Sequence, residues 1–281
     1  MNSEQDCIKL LDLLYRVMEA NRGSLTGTDD RFWLAEGLAT KFFLHAASVL
    51  YLSRETNISN FPSAPLKFLD PASIDVLARA ALETFLTFHY VFVEPKTDEG
   101  KNYSYWVWKA AGLAERQTLP VSSEENRQKL VEEQKEISSL YSKLRLNSTY
   151  QQLTERQKKR VLKGEWRLLS WRKIAENANL AEILSSDMYR HLSGYSHSSY
   201  LSVLQIKESL EKKEQSLLLP SSILTITIAT ANLIRGYCDL FPRAGAVLTA
   251  DAKGGGLVDI WIQVGQKLDI ETFSQDEDKN S

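Results

Sequence analysis

Cysteine is scarce in this chain of 281 residues, which contains only Cys7 and Cys238. Two cysteines so far apart supply neither a secreted disulfide framework nor a cysteine-rich metal site, and we expect a reducing, cytoplasmic setting. An excess of one charge is also lacking, because the formal net charge is −2. A uniformly basic, nucleic-acid-coating surface is therefore excluded. The first seventeen residues contain acidic side chains where a secretory signal has a basic segment and an apolar run, so we predict no such signal.

Two motifs of common enzyme classes are absent. The glycine run Gly254 to Gly256 is not followed by the Lys-Ser or Lys-Thr pair that completes a phosphate-binding loop, and we predict a flexible hinge there. No Gly-x-Ser-x-Gly element marks a hydrolytic serine. Histidine is rare too, and His45 and His89 lie among aromatic and aliphatic residues, where we expect satisfied core histidines.

Helical periodicity dominates the rest of the chain, and alternating β-type runs are few. We predict an all-α fold, a bundle of about seven to nine helices. Residues 1–243 form this bundle, and residues 244–281 form a glycine-containing extension with a short strand pair or an amphipathic helix and a disordered acidic tail. The predicted helices cover residues 3–22, 30–54, 70–93, 98–118, 123–146, 150–163, 170–194, 198–214 and 221–240.

One long uncharged run, Ser216 to Ile234, approaches the length that spans a bilayer. It contains Pro220, Asn232 and several Ser and Thr residues, which are more typical of a buried helix than of a membrane segment. We therefore predict a core helix and no membrane partner.

The segment "DMYRHLSGYSHSSY", residues 187–200, collects two of the four histidines. On a helical wheel, Arg190 and His197 are seven residues apart and lie on one face, with Ser193 and Gly194 between them. Small residues at this place would let another helix or a phosphate group approach the backbone. The opposite face is predicted to point into the core, through Leu180, Leu184, Met188, Leu192 and Tyr195.

The residues "RHLSGYSH" resemble the motif of the HEPN superfamily, an arginine followed by a polar residue and, a few positions on, a histidine. The resemblance covers roughly residues 30–240. Relatives of this kind also have an arginine and a glutamate four apart on an earlier helix, which Arg79 and Glu83 match. The resemblance implies a helical bundle that forms a homodimer, with Tyr189, His191 and Ser193 also at the site.

Many HEPN proteins cleave RNA without a metal ion, so the resemblance implies an endoribonuclease that needs no cofactor. An imidazole can exchange a proton with the ribose 2′-hydroxyl or with the leaving oxygen near neutral pH, which is the role implied for His197. A guanidinium can hold the phosphate, which is the role implied for Arg190. Such an enzyme would be a toxin or a phage-defence effector, with a cognate inhibitor or defence partner.

A strongly basic stretch, residues 155–173, interleaves cations with Trp166 and Trp171. It could bind a nucleic-acid backbone and stack on bases, or it could be a solvated helical face with two core tryptophans. The cations predicted to contact nucleic acid are Arg156, Lys158, Lys159, Arg160, Lys163 and Arg167.

Several alternatives stay open at this stage. His197 could simply end its helix while Arg190 forms a surface ion pair, and Arg79 with Glu83 could be a structural pair in an apolar helix. Asp187 and His191 are spaced to share a metal ion, but two ligands do not make a closed site. The same scaffold could also belong to a non-catalytic interaction or sensor protein that uses the small-residue face to bind a partner or a second copy.

Overall fold

A computed structural model describes residues 3–23, 30–212 and 214–268. The chain divides into two compact units. Unit 1 comprises Met1–Phe88 and Trp171–Ser281, and unit 2 comprises His89–Ser170. The prediction of an all-α fold is confirmed, because thirteen α-helices and a single pair of short strands make up the regular structure of the described residues.

Unit 1 contains nine of these helices. They are α1 (Ser3–Asn21), α2 (Asp30–Leu52), α3 (Pro71–Phe88), α8 (Trp171–Asn177), α9 (Tyr189–Ser196), α10 (Tyr200–Lys212), α11 (Pro220–Leu240), α12 (Pro242–Ala250) and α13 (Ala252–Lys267). A π-helical segment, Ile183–Met188, leads directly into α9, and a 3₁₀ turn, Gln215–Leu218, precedes α11. The strands β1 (Thr56–Ile58) and β2 (Leu66–Phe68) pair antiparallel, with Asn57 opposite Lys67.

Unit 2 begins with a second π-helical segment, His89–Val93, and continues with α4 (Asp98–Arg116), α5 (Glu124–Leu146), α6 (Ser148–Gln151) and α7 (Glu155–Leu162). Polar caps fix where its helices begin. Thr97, Ser123 and Asn147 each accept a backbone N–H of the first turn, and Thr154 forms a capping box with Gln157. The core of this unit is formed by Tyr103, Val107, Leu144, Tyr150 and Val161.

The centre of unit 1 is α11, which packs against α1, α2, α3, α12 and α13. Its buried side chains point in all directions around the helix, and Leu233, Ile234 and Tyr237 have no exposed surface. A helix that is apolar on every side belongs in the middle of a bundle. This arrangement explains the long uncharged run seen in the sequence.

Two helical segments of the described residues, Pro71–Val93 and Gln215–Leu240, are long and apolar enough to cross a bilayer. Half of the most apolar window of the first is buried inside the fold, and 61% of that of the second. Core helices have the same length and composition, so these segments are weak support for a membrane span.

The number of helices differs from the prediction because capping and turn residues interrupt the apolar runs. The predicted helix 170–194 is divided by Asn179, whose φ of +57° ends α8. The predicted helix 150–163 is divided where Thr154 caps α7. The strand pair lies between the predicted helices 30–54 and 70–93, and Asp70 accepts the backbone N–H of Ser73 where α3 begins.

Of the two alternatives predicted for the carboxyl-terminal extension, the helix is the one that forms. The helices α12 and α13 occupy residues 244–268, which contain no strand. The glycine run is not a hinge, because it forms the first turn of α13, where Asp251 accepts the backbone N–H of Gly254 at 2.8 Å. The predicted acidic tail lies outside the described residues.

Candidate functional site

The buried side of α9 follows the predicted pattern. Leu180, Leu184, Met188, Leu192 and Tyr195 are all buried, with exposed fractions of 8% or less. The helix lies against α3, which holds this face in place. The prediction that these residues face the core is confirmed, and the opposite side of α9 is left at the surface.

Arg190 and His197 are both exposed on α9 and at its end. The Arg190 side chain is 78% exposed, and its only ion pair with another described residue is a loose one to Asp187 at 3.7 Å. His197 is the first residue beyond the helix, where its backbone N–H donates to the carbonyl of Ser193 at 3.2 Å. Seven residues of helix separate the two Cα atoms by about 10 Å along the axis and return them to nearly the same direction.

The small residues between them have a different role from the predicted one. A Cβ added to Gly194 would lie 3.0 Å from the hydroxyl of Ser199, so the chain's own following turn occupies this place. Ser199 also donates its backbone N–H to the Gly194 carbonyl at 3.0 Å, and the turn passes through Ser198 at a φ of +49°. Gly194 therefore permits the turn between α9 and α10, rather than the approach of a ligand or a second helix.

The pair Arg79 and Glu83 forms a three-residue network with Tyr189. Arg79 contacts Glu83 at 3.0 Å, and the Tyr189 hydroxyl donates to the same carboxylate oxygen at 2.8 Å. Arg79 donates in turn to the Tyr189 hydroxyl at 3.3 Å, and its guanidinium lies 5.4 Å from the ring centroid. Arg79 and Glu83 are half-buried, and through Tyr189 they connect α3 to the start of α9. Such contacts can hold the start of α9 in place.

The electrostatics of this network favour the charged arginine. Burial alone would lower the pKa of Arg79, but the hydrogen bond that it donates to Tyr189 and the charge of Glu83 together raise it. Burial and the hydrogen bond to Glu83 raise the pKa of Tyr189, so its hydroxyl keeps the proton that it donates. The network thus stabilises a charged guanidinium and a protonated hydroxyl together.

A second polar connection, which the sequence analysis missed, lies on the same two helices. Asp75 is fully buried, and it accepts a hydrogen bond from the Ser222 hydroxyl of α11. Its other carboxylate oxygen has no hydrogen-bond partner in the described part of the chain and lies 3.6 Å from Nε2 of His191. The His191 ring also meets Tyr195 edge to face, with centroids 5.3 Å apart.

His191 is therefore turned towards Asp75, and its ring is held from two sides. Tyr195 completes the connection by donating its hydroxyl to Gln205 of α10 at 3.1 Å, and burial raises the pKa of Tyr195 to about 12. The signal that could have revealed Asp75 is its spacing. Asp75, Arg79 and Glu83 recur every four residues in an otherwise apolar helix, which places three charged groups on one stripe.

The other two histidines lie away from this site. Nε2 of His45 is buried and has no hydrogen-bond partner among the described residues. The prediction that the hydrogen bonds of this histidine are satisfied was therefore wrong. Burial lowers the pKa of His89 to about 4. In the described ranges, no three His, Cys, Asp or Glu side chains lie close enough together to hold a metal ion.

The six cations predicted to contact nucleic acid belong to unit 2, on and after α7. Arg156, Lys159, Arg160 and Lys163 line one open cavity of about 380 Å³ with Glu165. Lys158 is instead paired with Glu155 at 2.9 Å, and Arg167 donates to the carbonyl of Leu169 at 2.8 Å. Trp166 packs against the core of unit 2, as the alternative interpretation predicts, although part of its surface stays accessible.

Comparison with known proteins gives one result. No curated protein and no solved structure matches the chain. Residues 38–215 match the model of DUF5677, a family of unknown function. The match begins within α2, includes all of unit 2 and ends just beyond α10, so that it contains Arg79, Glu83, Arg190 and His197. Because it covers more than half of the sequence, the chain belongs to the DUF5677 family.

Proposed function

We propose that this protein is a metal-independent endoribonuclease whose site lies at α9. Arg190 binds the phosphate, and His197 transfers a proton. The observation that carries the proposal is that Arg190 and His197 are both exposed, at a spacing that places them on one side of α9, while the other side is buried in the core. The resemblance of "RHLSGYSH" to the HEPN motif supports the same assignment.

The chemistry requires only groups that this chain has. An imidazole removes the proton of the ribose 2′-hydroxyl, and the resulting oxygen attacks the neighbouring phosphorus. The bond from phosphorus to the 5′-oxygen breaks, this oxygen receives a proton, and a 2′,3′-cyclic phosphate remains. The guanidinium of Arg190 stabilises the negative charge that develops on the phosphate oxygens.

The polar residues around Arg190 position α9 and do not take part in the reaction. Tyr189 is adjacent to Arg190 and is tied to Arg79 and Glu83, which fixes the start of α9. His191 is held by Asp75 and Tyr195 one residue further along. These contacts restrict the rotation of α9, so the direction of Arg190 is set by the packing of α3.

A second copy of the chain completes the site in this proposal. One chain supplies a single His197, whereas the reaction uses one group to remove a proton and another to deliver one. The surface next to His197 suits a partner, because α10 exposes four large apolar side chains, Tyr200, Leu201, Val203 and Leu210, beside Lys207 and Glu208. Large apolar side chains grouped at the surface favour an interface.

The decisive experiment is cleavage of mixed RNA by the purified protein in excess EDTA. The expected result is cleavage that leaves 2′,3′-cyclic phosphate ends, that His197→Ala abolishes and that Arg190→Ala lowers by about 100-fold. Arg243→Ala is the matched control, since Arg243 is an exposed arginine on α12. The His197→Ala protein should fold normally, because His197 contacts Ser193 only through its backbone.

Cleavage that disappears in EDTA, or that survives in the His197→Ala protein, would refute the proposal. Added imidazole should restore part of the activity of His197→Ala, since it supplies the missing proton-transfer group in solution. A cytoplasmic toxin or phage-defence effector with a cognate inhibitor is the setting that this activity would serve.

A second candidate function is a non-catalytic interaction or sensor protein. The exposed apolar side chains of α10 favour it, because contact with a partner would bury them whether or not RNA is cleaved. Under this alternative, no preparation cleaves RNA, and substitutions on α10 abolish association while Arg190→Ala and His197→Ala have no effect.

A further inference from the structure

Two cavities of unit 2 meet at one lysine. The cavity described above, lined by Arg156, Lys159, Arg160, Lys163 and Glu165, is cationic. A second cavity of about 470 Å³ lies between α4 and the segment after α7, and Lys163 lines this one too. Both volumes are in the range of small-molecule sites.

The first cavity has an unbalanced charge. Four cations line it against a single carboxylate, and Glu165 is already paired with Arg160 at 2.6 Å. Arg156, Lys159 and Lys163 form no ion pair within the described ranges, and all three are exposed. They recur at helical spacing along and just beyond α7, so their charges converge on one side. An anion with several oxygens suits such a place.

Two tryptophans line the second cavity, Trp108 of α4 and Trp166. The small residues Ala111 and Gly112 lie beside them, and Glu115, Thr118 and Gly164 also contribute to the lining. Trp108 is fixed by Phe92, with ring centroids 5.8 Å apart, and Trp166 by Tyr90 at 6.0 Å. Small residues beside two anchored indoles leave room for a planar ring that stacks on an indole.

We propose that these adjoining cavities are a nucleotide-binding site. The base occupies the cavity of Trp108 and Trp166, and the phosphate groups occupy the cavity of Arg156, Lys159 and Lys163. Lys163 lies where the two parts of the ligand join. An inorganic anion would make no use of the indoles, and an apolar ligand would make no use of the cations.

This site is independent of the proposed ribonuclease function, because all of its residues lie in unit 2 while Arg190 and His197 lie in unit 1. The nucleotide could be free in solution, or it could be one unit of an RNA chain. Both sources present the same base and phosphate chemistry, and they are separated by the choice of probe.

The test is isothermal titration calorimetry of the full chain with AMP, ATP, ribose 5-phosphate and a uridine decanucleotide. We expect ATP or the oligonucleotide to bind, and ribose 5-phosphate, which lacks a base, to bind at least about 10-fold more weakly. Binding of ATP assigns the site to a free nucleotide, and binding of the oligonucleotide alone assigns it to RNA.

Two variants locate the binding. Lys163→Ala should weaken it by about 10-fold or more, and Lys135→Ala, an exposed lysine of α5 that lines neither cavity, should not. Gly112→Leu should abolish binding, since a Cβ there meets nothing within 4 Å and the side chain would enter the aromatic cavity. Gly37→Leu is its control, at an equally open helical glycine of α2.

Both glycine variants should remain folded, because leucine is the better helix former. Equal affinity for ribose 5-phosphate and AMP, no binding of any probe, or undiminished binding by Lys163→Ala and Gly112→Leu would overturn the proposal. The His197→Ala protein should bind as the unmodified chain does, so failure of this site and failure of the ribonuclease site give different results.

Discussion

Asp75 on α3 and His191 on α9 face each other, with a carboxylate oxygen 3.6 Å from Nε2 and no water-accessible surface on the aspartate. The other carboxylate oxygen accepts the Ser222 hydroxyl. Three helices are thus joined through one buried charge. A buried carboxylate is costly unless its partners are kept, so each of these partners should have a measurable effect on stability.

Ser222→Ala should lower the free energy of unfolding by about 3 kcal/mol, because it leaves one oxygen of the buried Asp75 carboxylate without a donor. In an Asp75→Asn background the same change should lower the free energy of unfolding by only about 1 kcal/mol, since no buried charge then remains. Urea denaturation of the four proteins measures both values. Equal costs in the two backgrounds would contradict a charge-dependent contact.

Tyr189→Phe should lower the free energy of unfolding by about 1 to 2 kcal/mol. The hydroxyl donates to Glu83 and accepts from Arg79, so its removal leaves both half-buried groups with fewer partners. The control is Tyr51→Phe on α2, where the side chain is 76% exposed and the change should be within about 0.5 kcal/mol. If the two variants are equally stable, the network contributes nothing.

Stability should depend on pH through His89. Burial holds its pKa at about 4, below the ordinary 6.5, and Glu94, 4.0 Å away, does not offset this. Between pH 6.5 and 4 the unfolded chain binds a proton that the folded chain does not. The free energy of unfolding therefore falls as the pH is lowered through this window, by up to about 3 kcal/mol.

The control for this pH dependence is His89→Gln, which cannot take up the proton. Thermal or urea unfolding between pH 4 and pH 7 should show a shallower loss of stability for this variant than for the unmodified chain. Parallel curves for the two proteins would mean that other groups cause the acid sensitivity.

Both thiols should be unreactive in the folded protein. Burial raises the pKa of Cys7 and of Cys238 to about 12, and neither has more than 8% of its surface exposed. A thiol reagent at pH 8 should label neither within minutes, and it should label both in urea. Rapid labelling of one cysteine without denaturant would contradict the packing of its helix.

Association should depend on the outward side of α10. Leu210→Glu should convert a dimer to a monomer and, if the ribonuclease proposal holds, abolish cleavage at the same protein concentration. Leu44→Glu on α2 is the control, since both leucines are more than half exposed. Light scattering after size exclusion measures the mass. A dimer that tolerates Leu210→Glu, or a monomeric unmodified chain, would remove α10 from the interface.

The local features of the fold were accessible from the sequence. The burial of Leu184, Leu192 and Tyr195 follows from helical spacing, and the start of α3 follows from Asp70 and Pro71. These features depend only on neighbours along the chain. Arg79, Glu83 and Tyr189 were grouped only by the resemblance to the HEPN superfamily, which did not give their contacts.

The long-range features were not accessible. Asp75 and Ser222 are 147 residues apart, and nothing in either segment indicates that they meet. The role of Gly194 depends on Ser199, which returns to it through a turn whose left-handed residue is a serine rather than a glycine. The division of the predicted helix at Asn179 was missed because an isolated asparagine does not usually end a helix.

The π-helical segment before α9 sets the angular position of everything that follows it. Its wider turns contain one residue more than an α-helix of the same path would, and each residue corresponds to about 100° of rotation. If these residues formed an α-helix instead, α9 would turn by about 100° around its axis, and Tyr189 would lose its contact with Glu83. Deleting one residue between Ile183 and Met188 should therefore leave an α-helix of the same path and keep Tyr189 and Arg190 where they are.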